Sequence, residues 1–163
     1  MHHLTFLLAL LSCSLLTTAS ACQIDVLVVK NPSFFNKKHV GIQFTINNST
    51  TTYGHYSTYR DPVSLFTLGW IPHRGRIMSP DPFIEGLPKK NIPPGKIVNM
   101  ISILDNEEKC LEFKEMVDKE KESPPSYSLL FSNCANWIDH VLSQYVSCSS
   151  YGFNHPHFCE AKL

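Results

Sequence analysis

Ser-Asn-Cys-Ala-Asn-Trp at Ser132–Trp137 places a cysteine at the start of an amphipathic helix, and that helix needs a sheet to cover it. From Cys134 the apolar positions run Trp137, Ile138, Val141, Leu142 and Tyr145, the three-and-four spacing of one buried helical face. Cys134 lies on that face, one turn before Trp137. Ser132 is placed to act as N-cap, and Tyr127–Phe131 reads as a short strand leading in. A thiol in a first helical turn feels the positive end of the helix dipole, which favours the thiolate. The competing reading of the same pattern is a small buried core cysteine or half of a disulfide.

Cysteine arithmetic bears on that choice. Leu4–Leu16 is an apolar run, and Ala19-Ser20-Ala21 supplies a small-x-small cleavage signal, so residues 1–21 read as a secretory signal peptide. Cleavage after Ala21 implies a secreted or periplasmic protein retaining Cys22, Cys110, Cys134, Cys148 and Cys159. Five is odd, so one thiol is left over. The simplest arrangement leaves Cys134 free and places two disulfides among the other four, in pairings the sequence does not fix. Cys22 as first mature residue also invites a lipoprotein anchor, although Ala19 stands where such signals usually carry Leu.

Composition excludes several classes. Lys+Arg and Asp+Glu balance at 14 each, so no net field points to nucleic acid or an anionic membrane surface. No second apolar segment suggests stable membrane insertion, and the sequence specifies no partner protein. The mature chain suits one domain with a real core. Its elements read as strands at Gln23–Lys30, His39–Ile46 and Thr51–Tyr59, the last two joined by a turn at Asn47-Asn48-Ser49. A Pro-rich insertion follows near residues 61–95 and reads as irregular, in the manner of a lid. Ile97–Leu104 is a buried strand, and Asp105 with Glu108 forms a capping box for a helix ending near Glu122. The predicted class is α+β, with a mostly antiparallel sheet packed against the helix that carries the cysteine at its N-terminus.

A cysteine nucleophile needs a base, usually His held by a third polar group. His140 is six residues along the same helix from Cys134 and well round from it. His155 and His157 with Cys159 are only faintly metal-like, and neither a metal nor a cofactor is expected. His39 is the better candidate. It opens a strand, points away from the Val40/Ile42/Phe44/Ile46 face, and has Gly41 beside it, leaving room for another group. The bland alternative is a solvent-facing strand histidine.

His-Val-Gly-Ile-Gln-Phe at His39–Phe44, a polar strand after it, and Tyr-Ser-Leu-Leu-Phe-Ser-Asn-Cys-Ala-Asn-Trp at Tyr127–Trp137 resemble the circularly permuted branch of the papain-like, NlpC-type superfamily. That branch includes lecithin:retinol acyltransferase-like proteins and secreted bacterial amidase effectors, and in it the His strand precedes the Cys helix. The resemblance spans His39–Tyr145 but is carried by those two short segments. It implies a permuted papain-like fold with Cys134 as nucleophile and His39 as general base. The third polar group comes from the next strand, which offers His55, Ser57 or Tyr53. If residues whose numbers sum to 96 pair, Ser57 faces His39 with His55 diagonal to it, and a register one residue different turns both away. His55 is the favoured partner. Asn133 caps or orients, and the Cys134 backbone N–H contributes to an oxyanion hole.

The implied activity is a cysteine amidase or peptidase acting on a peptide or other amide substrate, as in cell-wall peptides. Ala135-Asn136-Trp137 replaces the acidic, aromatic-rich signature of the acyltransferases, which disfavours lipid acyl transfer. A thiol-dependent acyltransferase and a non-catalytic binding module on the same scaffold are the alternatives. Tyr53, Tyr56, Tyr59 and Trp70 read as groove-lining or packing aromatics, and Arg74 and Arg76 as carboxylate binders or solvated loop charges. Asn47 and Asn48 head overlapping glycosylation sequons at the hairpin tip.

Overall fold

A computed structural model describes residues 22–30, 38–58, 71–105, 107–128, 132–149 and 158–162, with backbone only for residues 104, 105, 149 and 158. The signal-peptide segment, Tyr59, Trp70, His155 and His157 lie outside the described residues. The elements are β1 (Cys22–Lys30), β2 (Lys38–Ile46), β3 (Ser49–Ser57), β4 (Gly75–Met78), α1 (Pro82–Glu85), a 3-10 turn (Pro88–Lys90), β5 (Lys96–Asp105), α2 (Glu107–Glu122), α3 (Cys134–Val141), β6 (Val146–Ser149) and β7 (Phe158–Ala161). β1 to β5 form one antiparallel sheet in the order β4-β3-β2-β1-β5, and β6 pairs with β7. The class is α+β, as the sequence pattern implies.

β2 and β3 form a hairpin because Ile46 pairs with Ser49 across Asn47 and Asn48. Both asparagines have positive φ, 51° and 63°, as a two-residue turn matched to strand twist requires. That turn fixes the register: Ile42 faces Tyr53 and Gly41 faces Gly54, so paired numbers sum to 95. Continuing the register sets His39 level with Tyr56, and Val40 level with His55. The register that would align Ser57 and His55 with His39 is therefore missed by one residue, and both turn to the other face.

Strand alternation separates two faces. Ile24, Val26, Val28, Val40, Ile42, Phe44 and Tyr53 are buried in a core with Val117 of α2 and Trp137, Ile138, Val141 and Leu142 of α3. Tyr53 reaches from this core to Asp118 Oδ1 at 2.8 Å. Trp137 Nε1 donates to Glu120 Oε2 at 2.5 Å, tying α3 to α2. Disulfides join Cys22 to Cys110 and Cys148 to Cys159, and Cys134 is buried and in neither bridge. The first bridge ties the start of β1 to the first turn of α2; the second clasps β6 to β7.

Two local expectations change. The segment read as irregular contains β4, α1 and the 3-10 turn within its described part, because Asp81 caps α1 through Phe83 N and Ile84 N. Asp105 ends β5 opposite Cys22 and α2 starts at Glu107, so Asp105 is strand rather than cap. Of the strand expected at Tyr127–Phe131, Tyr127 bridges to His73 and Ser128 exchanges backbone hydrogen bonds with Ser132 at 2.9 and 3.2 Å, while residues 129–131 lie outside the described residues. Among the described residues, no helix is long and apolar enough to cross a membrane.

Candidate active site

Cys134 is the first residue of α3, and the cap is Asn133 rather than Ser132. Asn133 Oδ1 accepts from Ala135 N at 2.9 Å and Asn136 N at 3.3 Å, while Asn136 Oδ1 accepts from Asn133 N at 3.2 Å. This reciprocal box needs no hydroxyl, which frees Ser132 Oγ to donate to Ser126 O at 2.6 Å. The thiol is thereby held at a rigid helix start, with the apolar face of α3 packed on the core behind it.

His39 is the second residue of β2, the central strand of the sheet, and is buried at 4% exposure. Its Nε2–H donates to Asp81 Oδ2 at 2.9 Å. The other carboxylate oxygen accepts from the Tyr56 hydroxyl, from Phe83 N at 2.8 Å and from Ile84 N at 3.3 Å. Asp81 N donates to Thr52 Oγ1 at 2.9 Å, and Thr52 in turn donates to Glu85. Asp81 is wholly buried yet fully hydrogen-bonded, which is what a buried charge requires.

Two glycines make room for this carboxylate. A Cβ on Gly54 would stand 2.1 Å from Asp81 Oδ2 and 2.6 Å from His39 Nε2, and one on Gly41 would stand 2.7 Å from the same carboxylate oxygen. Because Gly41 and Gly54 face each other in the ladder, they form a bare saddle across β2 and β3 into which Asp81 drops.

Burial alone would lower the His39 pKa. The Asp81 charge, the Cys134 charge and hydrogen bonds from both side chains override it and raise the pKa to about 10 from an ordinary 6.5. Asp81 is subject to the reverse balance: burial pushes its carboxyl up, but the His39 charge and the hydrogen bonds from His39, Tyr56 and Phe83 hold it below the usual carboxylate range. Nε2 is committed to Asp81, and His39 also hydrogen-bonds the Cys134 side chain. Cys134, His39 and Asp81 thus form a connected cysteine–imidazolium–carboxylate set.

The other expected site residues lie elsewhere. His55 is buried at 1% exposure, donates from Nε2 to Pro125 O at 3.2 Å, and lies edge-on to Tyr127 with Trp137 nearby. Burial lowers its pKa, against the opposing influence of the Pro125 carbonyl and the Cys134 charge, so it is a neutral imidazole. Its Nδ1 makes no hydrogen bond of good geometry. Ser57 Oγ is bonded to His73 Nε2 at 2.5 Å. Neither His55 nor Ser57 bonds His39. His140 is exposed near Glu120, at 3.6 Å. Arg76 is exposed on β4, and Arg74 is exposed just before it. Among the described residues no His/Cys/Asp/Glu group is arranged to hold a metal ion.

Asp81 was the member that sequence reading missed. Its only local signal is Asp81-Pro82, a helix-capping Asp followed by Pro at the first helical position, within the stretch read as irregular. Comparison with family models, curated proteins and solved structures finds no match to this chain.

Proposed function

We propose that the protein is a secreted cysteine hydrolase that cleaves an amide bond, with Cys134 as nucleophile, His39 as acid–base and Asp81 as the group that orients and charges His39. The observation that carries this reading is Cys134, outside the two disulfides of the described residues and coupled to an imidazole that is itself held by a buried carboxylate. The permuted papain-like architecture suggested by the His39 strand and the Cys134 helix accords with the order of these residues. Secretion accords with the disulfides and with the apolar leader.

The raised His39 pKa refines the chemistry. At neutral pH His39 carries its proton, and an imidazolium bonded to Cys134 favours the thiolate. Cys134 Sγ attacks the amide carbonyl carbon, forming the C–S bond as the carbonyl π electrons move to oxygen. His39 then protonates the leaving amine while the C–N bond breaks. In the second half, His39 takes a proton from water as the oxygen attacks the thioester, and Cys134 departs as thiolate. Asp81 keeps Nε2 protonated and the ring oriented throughout.

The test is alkylation of the unreduced protein with iodoacetamide at mildly acidic pH, followed by peptide mapping. Rapid labelling confined to Cys134 is expected. A slow or unlabelled Cys134 under conditions that leave both disulfides intact overturns the reading.

A further inference from the structure

We propose that Tyr56 is a positioning residue of the reactive pair, its ring setting the plane of His39 and its hydroxyl holding one oxygen of Asp81 so that the other is left to His39. This inference rests on the cysteine-hydrolase reading above and adds to it a residue that never touches the reacting atoms.

The Tyr56 ring stacks on the His39 ring with centroids 4.6 Å apart and planes 19° from parallel. Phe83 flanks the same imidazole at 4.9 Å, tilted by 40°. Rotation of the His39 ring about its Cβ–Cγ bond would have to displace one of these aromatics, and Tyr56 is itself 7% exposed. The Tyr56 hydroxyl donates to Asp81 Oδ1, the oxygen that also takes Phe83 N and Ile84 N. Oδ1 is thus supplied by three donors, and Oδ2 is the oxygen that receives His39 Nε2–H.

The division of labour has a chemical consequence. A hydrogen bond donated to a buried carboxylate stabilises its charged form. Without the hydroxyl, Asp81 takes up a proton at higher pH and its two oxygens can exchange places. A neutral carboxyl no longer holds the imidazolium, so the thiolate fails at the acid end of the profile. The phenol can play this part because burial and the Asp81 charge raise its pKa well above 10, keeping it a donor. The one-residue register of β2 on β3 is what puts Tyr56, and not His55, beside His39.

The experiment measures the iodoacetamide rate of Cys134 against pH in the wild-type protein, Tyr56→Phe, Asp81→Asn and the double variant. Tyr56→Phe keeps the stacked ring and removes only the hydroxyl. Its acid limb is expected to move to higher pH, with the rate at mildly acidic pH falling about tenfold, the worth of one hydrogen bond to a charged group. In the Asp81→Asn background the same change is expected to do nothing, because Tyr56 acts through that carboxylate. A Tyr56→Phe protein that melts earlier but keeps the wild-type pH profile overturns the proposal and leaves the nucleophile reading standing. An unreactive wild-type Cys134 overturns that reading, and this one with it. If Tyr56→Phe does not fold, proton NMR of the wild-type protein decides: a slowly exchanging phenol proton, downfield and lost in Asp81→Asn, is expected, and its absence overturns the assignment.

Discussion

Two buried histidines flank the same thiol and respond to burial in opposite ways. Desolvation acts to lower both His39 and His55 and is the largest influence on each. His39 nevertheless rises to about 10, because Asp81 supplies a full charge and a hydrogen bond at 2.9 Å. His55 has the carbonyl of Pro125 at 3.2 Å and lesser support from the Cys134 charge, the Asn133 backbone and Glu120, so burial wins and its pKa is lowered. One imidazole is built to carry charge and the other to fill space. The carboxylate bonded to His39 is the largest difference between them.

The largest expected effect breaks that comparison at its source. His39→Ala and Asp81→Asn should each slow alkylation of Cys134 at mildly acidic pH by roughly a hundredfold or more, whereas His55→Ala should slow it less than about tenfold. Equal losses in His39→Ala and His55→Ala would show that the two rings are not distinguished as described. Trp137→Ala, which empties the core against which His55 lies, should cost about 3–5 kcal/mol in urea unfolding by leaving a cavity. A loss under about 1 kcal/mol would mean that α3 is not held by that side chain.

Gly54→Ala probes the other side of the comparison. Its Cβ would meet both Asp81 and His39, so it should destabilise by about 1–3 kcal/mol and lower Cys134 reactivity together. Unchanged reactivity in a folded Gly54→Ala protein would show that the saddle does not seat Asp81.

The smallest effect is in the pH dependence of stability. A base whose folded pKa lies above its unfolded value contributes stability fully present below about pH 6.5 and lost as pH rises through about 10. Asp81, held low, contributes stability that is present above its ordinary 3.8 and lost as pH falls through its folded value. The difference in urea midpoint between the wild-type protein and His39→Gln should therefore shrink from neutral pH toward pH 10. A difference that stays constant across that window would mean that His39 is not the group gaining the charge.

Much of the sheet was legible because strand signals are local. Gln23–Lys30 and His39–Ile46 match β1 and β2 to within a residue, and Asn47-Asn48 specifies its turn through residues that tolerate positive φ. That Cys134 would stand outside the disulfides was also legible: of the five cysteines among the described residues, the other four close two bridges. The partner of His39 was not. Asp81 lies 42 residues away in a stretch whose prolines hide a four-residue helix, and no periodicity marks a turn that short.

The sequence by itself determined the antiparallel α+β class, the helix that starts at Cys134 and the strand that carries His39, because each depends on spacing within a few residues. Only the tertiary structure decided which group completes the set. Registers summing to 95 or to 96 satisfy the same alternation of apolar residues in β3 read alone, and the two-residue turn selects the first. That single step carries His55 to the core and Tyr56 to His39. It also brings two glycines face to face, opening the space that the Asp81 carboxylate enters.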